Sequence, residues 1–313
     1  MKILLATDGS ESAREAVDYL MRFPFPTESE VTLLTVIDRD VIKDEDVSGL
    51  NEEQENALKD TEKLVEEEAQ ELLARETQRV RNAGLSESSE LRIGHPAEEI
   101  VRVAEQLGSD CVIVGSHGMS GIKRFLLGSV SDHVLQYAPC SVLIVKKPVP
   151  AEKQSGQAPA PPGELEHPPQ ALRILLAYDG SAPAGEAVQF CASLPLDEHA
   201  EVTALTVLPL ITLYRQDIRQ RLSWLWQQKK KQALEALERV SNEIGRATPY
   251  VETQLRESAD VSDAILNAAS EYRSDLIVLG HKGKGAIKKF LLGSVTTRIA
   301  HHASCSVLAV RHH

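Results

Sequence analysis

The chain is written twice. ILLATDGS at 3–10 returns as ILLAYDGS at 174–181, and VTLLTV at 31–36 returns as VTALTV at 202–207, each 171 residues later. IKRFLLGSV at 122–130 returns as IKKFLLGSV at 287–295, and CSVLIV at 140–145 as CSVLAV at 305–310, each 165 residues later. A single return over this distance marks one domain duplicated, because solenoid repeats recur every ~20–50 residues. The drop from 171 to 165 puts a six-residue deletion in the second copy, between its second strand and the loop discussed next. A length of 313 residues suits two domains of ordinary size.

Within each copy, apolar runs alternate with helical periods. In the first copy the pattern predicts strands over 2–7, 30–37, 89–93, 111–115 and 141–146. It predicts helices over 11–22, 52–82, 96–107 and 129–137, with Ser10 as an N-cap. The helix over 52–82 carries Leu58, Val65, Ala69, Leu72 and Val80 as one stripe, and its acidic remainder reads as a solvated face. The second copy repeats this, with a helix over 261–272. Strongly apolar strands separated by helices imply a parallel sheet covered on both faces, an α/β fold. Between the copies, Lys147 to Leu172 is rich in Pro, Gly, Gln and Ala and reads as an exposed, semi-extended linker. Domains are therefore expected at 1–147 and 172–313, with a linker at 148–171.

Two matching glycine patterns carry the chemistry. Gly115-Ser116-His117-Gly118 is followed, after nine residues, by Gly128-Ser129-Val130. Gly280-His281-Lys282-Gly283 is followed, again after nine, by Gly293-Ser294-Val295. Each follows a short apolar strand, CVIV or LIVL, and leads into a helix. Glycine lets backbone N–H groups turn toward a ligand with no Cβ in the way. A helix N-terminus adds free amides and a positive dipole end, so strand, loop and helix together describe a phosphate cradle.

The pattern G-x2-G-x9-G-[ST], present twice at matching distances from the other repeated segments, resembles the nucleotide-binding signature of the universal stress protein family. The resemblance covers nearly the whole chain and implies a tandem, two-domain member. It implies two open-sheet domains of Rossmann-like, adenine nucleotide alpha hydrolase-like kind, with parallel strand order 3-2-1-4-5. It also implies a pseudo-two-fold pairing of the last strands, 141–146 with 306–311, inside one chain, with a further homodimer as an additional arrangement. Ligands of such sheets sit outside the strand C-termini at the switch point.

The resemblance assigns an adenine nucleotide, ATP, to each crevice. Asp8 and Asp179 would meet ribose hydroxyls or the adenine amine; by residue type alone each is equally a turn aspartate before a helix. The backbone at Val36 and Val207 would pair with the adenine edge. Gly115 and Gly280 would admit the ribose. Gly118, Gly128, Ser129 and Val130 would hold the phosphates of one nucleotide, and Gly283, Gly293, Ser294 and Val295 those of the other. Ser129 and Ser294 are equally candidate N-caps. Lys123, Arg124, Lys288 and Lys289 lie inside the loops as solvated side chains that can screen phosphate. Mg2+ or Mn2+ would come with the phosphates, since no carboxylate pair marks a dedicated metal site. The second loop, with Lys282 and Lys284, is more basic than the first, where Met119 and Ser120 are neutral, and Tyr178 replaces Thr7 beside the aspartate. The two pockets are therefore expected to differ in affinity.

The net charge of −12 repels phosphate backbones, which argues against nucleic acid as a general partner. No apolar run reaches the ~20 residues of a membrane span, and the N-terminus reads as a strand rather than a signal peptide. Cys111, Cys140, Cys191 and Cys305 lack metal-ligand spacing and read as reduced, buried thiols, which fits a cytoplasmic location. The pairs His301-His302 and His312-His313 are weak metal candidates, because adjacent histidines rarely face one cation. Trp224 and Trp226 fall in an insertion-like stretch after the second strand and are expected against the sheet, with a lid or partner surface as the alternative. No P-loop lysine, nucleophile elbow or zinc motif occurs. The chain thus reads as a nucleotide-dependent regulator acting in stress response through an unknown protein partner, with no catalytic residue and any ATP hydrolysis slow. The alternatives are an interaction scaffold that binds no nucleotide and a slow ATP-hydrolysing enzyme.

Overall fold

The computed structural model describes residues 1–39, 51–118, 127–147, 171–210, 216–283 and 292–311. The chain divides into two units, one spanning Met1–Lys146 and one beginning at Lys147. The linker reading and the loop lysines and arginine, Lys123, Arg124, Lys284, Lys288 and Lys289, lie outside the described residues, as do His312 and His313.

The first unit runs β1 (Lys2–Ala6), α1 (Glu11–Arg22), β2 (Glu30–Asp38), α2 (Glu52–Asn82), β3 (Ser86–Gly94), α3 (Pro96–Leu107), β4 (Cys111–Gly115), α4 (Ser129–Tyr137) and β5 (Ser141–Val145). Every strand pair is parallel: β1 lies between β2 and β4, β3 borders β2, and β5 borders β4. The order is therefore β3-β2-β1-β4-β5, as expected. The central strands are apolar along their length because helices cover both faces. Cys111, Val112, Ile113 and Val114 of β4 are at most 3% exposed.

Local chemistry sets the helix ends. Ser10 Oγ accepts from Ala13 N at 3.1 Å, so α1 begins where the first strand's turn delivers an N-cap. Asn51 and Gln54 form a capping box at the head of α2. Pro96 opens α3, and Gly108 closes it in the left-handed region at φ 58°. The stripe expected on α2 is half-buried at Leu58, Val65, Ala69 and Leu72 and buried at Val80. Glu76 departs from the solvated acidic face. It is 1% exposed and paired with Arg75 and Arg79, and Arg79 also pairs with Asp18 of α1. A buried carboxylate needs such partners.

The second unit repeats the plan: β6 (Leu172–Ala177), α5 (Ala182–Ser193), β7 (Ala200–Pro209), α6 (Gln216–Ile244), β8 (Val251–Ser258), α7 (Val261–Glu271), β9 (Leu276–Gly280), α8 (Ser294–His302) and β10 (Ser306–Val310). Its strands are again all parallel, in the order β8-β7-β6-β9-β10. The stretch read as insertion-like is the first half of α6, the counterpart of α2, so it is no insertion. Trp224 is 64% exposed and Trp226 half-buried, which corrects the expectation that they pack on the sheet. Successive helix residues turn by ~100°, so Trp224, Leu225 and Trp226 cannot all face inward.

Candidate functional site

In each unit the C-terminal ends of the first, second and fourth strands and the start of the last helix converge on one crevice. Thr7 N donates to Leu34 O at 2.9 Å, holding the end of β1 against β2. Tyr178 N does the same to Leu205 O at 2.8 Å. The chain then turns at Asp8-Gly9-Ser10, with Gly9 at φ 75°, and at Asp179-Gly180-Ser181, with Gly180 at φ 75°. Asp8 Oδ1 accepts from Ser10 N at 2.9 Å, and Asp179 Oδ1 from Ser181 N at 2.9 Å. Each aspartate is thus a turn former, and each is exposed at the crevice. Its second oxygen faces the glycine loop: a Cβ on Gly118 would lie 3.1 Å from Asp8 Oδ2, and one on Gly283 would lie 3.0 Å from Asp179 Oδ2.

The loop is pinned at both ends. Ser116 N donates to Val145 O at 3.0 Å and His281 N to Val310 O at 2.9 Å. Gly128 N donates to Ser116 O and Gly293 N to His281 O, each at 2.8 Å. The nine-residue excursion therefore leaves and returns at one point, which brings Gly118 and Gly128 together in one unit and Gly283 and Gly293 in the other. Gly115 and Gly280 serve a tight approach. A Cβ on Gly115 would meet Ser12 backbone atoms at 2.6 Å, and one on Gly280 would meet Pro183 carbonyl carbon at 2.5 Å. Their bareness lets the end of the strand press against the first turn of α1 or α5.

Ser129 and Ser294 are not N-caps. Gly128 and Gly293 hold those positions with no side-chain cap, and the serines are the first helical residues. The first-turn amides, Ser129 and Val130 in one unit and Ser294 and Val295 in the other, accordingly have no intrahelical acceptor and no cap. Below them, Ser131 Oγ donates to Gly115 O at 2.6 Å and Thr296 Oγ1 to Gly280 O at 2.9 Å, fixing helix to strand. Val36 and Val207 stand in register with Arg92 and Arg256 on the third strands and are half-buried, so neither is the pure core residue its type suggests.

The imidazoles differ between loops. His117 Nδ1 lies 3.0 Å from Ser116 Oγ. His281, one position earlier in its loop, has Nδ1 3.1 Å from Val310 O. Burial, and then the charge of Arg311, hold the His281 imidazole below its ordinary value, so it rests neutral. No group of His, Cys, Asp or Glu among the described residues has the arrangement of a metal site. No helix among the described residues is long and apolar enough to cross a membrane.

Each unit is an open parallel α/β sheet with a glycine loop and an uncapped helix start at the strand C-termini, and this arrangement defines the class of domain, which occurs twice. The chain belongs to the universal stress protein family, whose model matches residues 1–146 and again 171–311. It is 40% identical over 156 residues to Universal stress protein MJ0577 of Methanocaldococcus jannaschii, a match covering 47% of this chain and 94% of that protein. It is 30% identical over 145 residues to Universal stress protein YxiE of Bacillus subtilis, covering 46% and 98%. A universal stress protein from Archaeoglobus fulgidus shares the fold over 99% of this chain and 98% of its own, with a TM-score of 0.67 at 24% identity.

Proposed function

We propose that this universal stress protein binds adenine nucleotide in its crevices and acts in stress response as a nucleotide-dependent regulator. One observation carries the reading: α4 and α8 each start at a bare glycine with no side-chain cap, beside a second glycine whose Cβ would press on a carboxylate. Uncapped amides at a helix start favour an anion, and the aspartate beside them favours hydrogen-bond donors. A molecule with a phosphate at one end and hydroxyls at the other meets both demands; a free phosphate meets one.

Gly118, Gly128, Ser129 and Val130 would hold phosphates in the first unit, and Gly283, Gly293, Ser294 and Val295 in the second. Asp8 and Asp179 would accept from ribose hydroxyls, and the backbone at Val36 and Val207 would face the base. ATP is the nucleotide proposed, with Mg2+ or Mn2+ entering on its phosphates. The role is binding rather than turnover, with hydrolysis slow and incidental. Occupancy would stabilise the loop and α4, and a protein partner would read that state. The four free, buried thiols support a reducing, cytoplasmic setting.

Mass spectrometry of the small molecules released on denaturing freshly purified protein tests the proposal. An adenine nucleotide is expected. Recovery of a different ligand class would overturn it, and sustained ATP turnover near ~1 per second would replace the regulator with an enzyme.

A further inference from the structure

Two helices in equivalent places carry opposite charge. α2 and α6 each follow the second strand of their unit, and at 31 and 29 residues they are nearly equal in length. Residues 52–71 of α2 hold nine carboxylates and two lysines. Residues 216–231 of α6 hold five lysines and arginines and one carboxylate, Asp217. Farther along the signs exchange, with Arg75 and Arg81 on α2 and Glu235 and Glu238 on α6.

Each helix also exposes apolar side chains, which a solvated charged face has no use for. Leu64 is 64% exposed within the acidic half of α2, and Trp224 and Leu234 are 64% and 50% exposed on α6. At ~100° per residue, Leu64 lies opposite the buried Leu73 and Trp224 opposite the buried Ile244, so both point away from their own sheets. Scattered single residues of this kind are ordinary, but these gather on two helices of complementary charge.

We propose that α6 of one copy of this chain packs along α2 of a second copy, the two helices running the same way. Counted from the helix starts, Glu66, Glu67 and Glu68 are fifteenth to seventeenth on α2, and Lys229, Lys230 and Lys231 fourteenth to sixteenth on α6. Arg75 is twenty-fourth and Glu238 twenty-third. Leu64, thirteenth, falls between Trp224, ninth, and Leu234, nineteenth, which sets an apolar strip inside a charged rim. Run the opposite way, the acidic half of α2 would meet Glu235 and Glu238, so charge fixes direction as well. Local pairs hold these charges weakly: Lys63–Glu67 and Lys231–Glu235 are exposed, at 3.7 and 3.9 Å. An anionic lipid surface is the other taker of a basic helix bearing tryptophan. Glu235 and Glu238, exposed on the Trp224 side of α6, and the net charge of −12 oppose it. The contact needs no nucleotide in either crevice. It joins unlike faces, so two copies make it twice or assembly continues.

Sedimentation velocity on the full chain decides it. Self-association should rise with protein concentration and weaken at least about tenfold between ~0.05 M and ~0.5 M salt. Trp224 and Trp226 are the two tryptophans of the chain, so emission should move to shorter wavelength as copies associate. Lys229→Glu/Lys231→Glu and Glu67→Lys/Glu68→Lys should each stay monomeric with the wild-type circular dichroism. Mixed in equal amounts, the two variants should associate again, because each reversed helix then meets its opposite. Trp224→Ser, which alters no charge, should weaken association too. A wild-type chain that stays monomeric at every concentration overturns the inference. So does association that either reversal leaves within about twofold of wild type, or two folded variants that stay apart on mixing. A tryptophan shift on vesicles of phosphatidylglycerol and phosphatidylcholine, with the protein alone monomeric, overturns it in favour of lipid.

Discussion

Gly115 closes a fully buried strand where any Cβ would fall 2.6 Å from the Ser12 carbonyl group, and Gly280 repeats the clash against Pro183. Backbone atoms cannot rotate aside as a side-chain tip can. Gly115→Ala is therefore expected to cost about 1–3 kcal/mol in urea denaturation, the usual penalty of forced overpacking. A loss below ~0.5 kcal/mol would show that α1 slides away freely. Glu76 makes a second residue-scale test. Its side chain is 2% exposed, while its partner Arg79 is 36% exposed and keeps some water. Carboxylates on both sides outweigh burial and hold the Arg79 guanidinium above its ordinary value. Glu76→Ala should cost about 1–3 kcal/mol, less than a wholly buried pair would. His281 gives the pH dependence. Its folded value lies below the ordinary 6.5, so the unfolded chain takes up the proton first as pH falls. The contribution of the neutral imidazole is complete above about pH 6.5 and is lost as pH drops through the lowered folded value. Arg311 and Lys282 add to the effect and Glu186 opposes it. A smaller loss of melting temperature between pH 7.5 and pH 5.5 in His281→Ser, the residue the first unit carries there, would bear this out. Equal losses would contradict it.

At the scale of elements, what the sequence reveals depends on how local the cause is. Strand and helix order was legible because apolar runs and 3.6-residue periods are properties of single segments. The helices over 11–22, 52–82, 96–107 and 129–137 match α1 to α4 in their bounds. β3 is longer than expected, Ser86–Gly94, because its polar residues take their order from the β2 edge rather than from their own pattern. Glu76 was illegible for a related reason: Asp18, which completes its network, is far away in sequence. The step from Ser129 as cap to Ser129 as first helical residue is one position, finer than pattern reading resolves. Trp224 was misread because an apolar trio suggests core, whereas α6 splays it around the helix. Trp224→Ala should change unfolding free energy by no more than ~0.5 kcal/mol, as for an exposed residue outside any network. A loss of ~2 kcal/mol or more would place the ring under cover.

Over the whole chain, duplication sets two crevices side by side in sequence but not in chemistry. The shared frame, glycine loop, turn aspartate and following helix, was visible in the repeated motifs; that the helix starts uncapped was not. Differences between the crevices lie in hydrogen-bond partners, His117 Nδ1 beside Ser116 and His281 Nδ1 beside Val310, and no motif encodes them. The acidic balance of the chain, −12, makes the attraction of a polyanion a local matter of backbone amides. Isothermal titration of ligand-stripped protein with Mg2+-ATP, compared with the double variant Gly118→Val/Gly283→Val, tests that most directly. Saturable heat in the wild-type protein, abolished in the double variant while its melting temperature holds, is the expected result. No heat from the wild-type protein, or heat that the double variant retains, would contradict it.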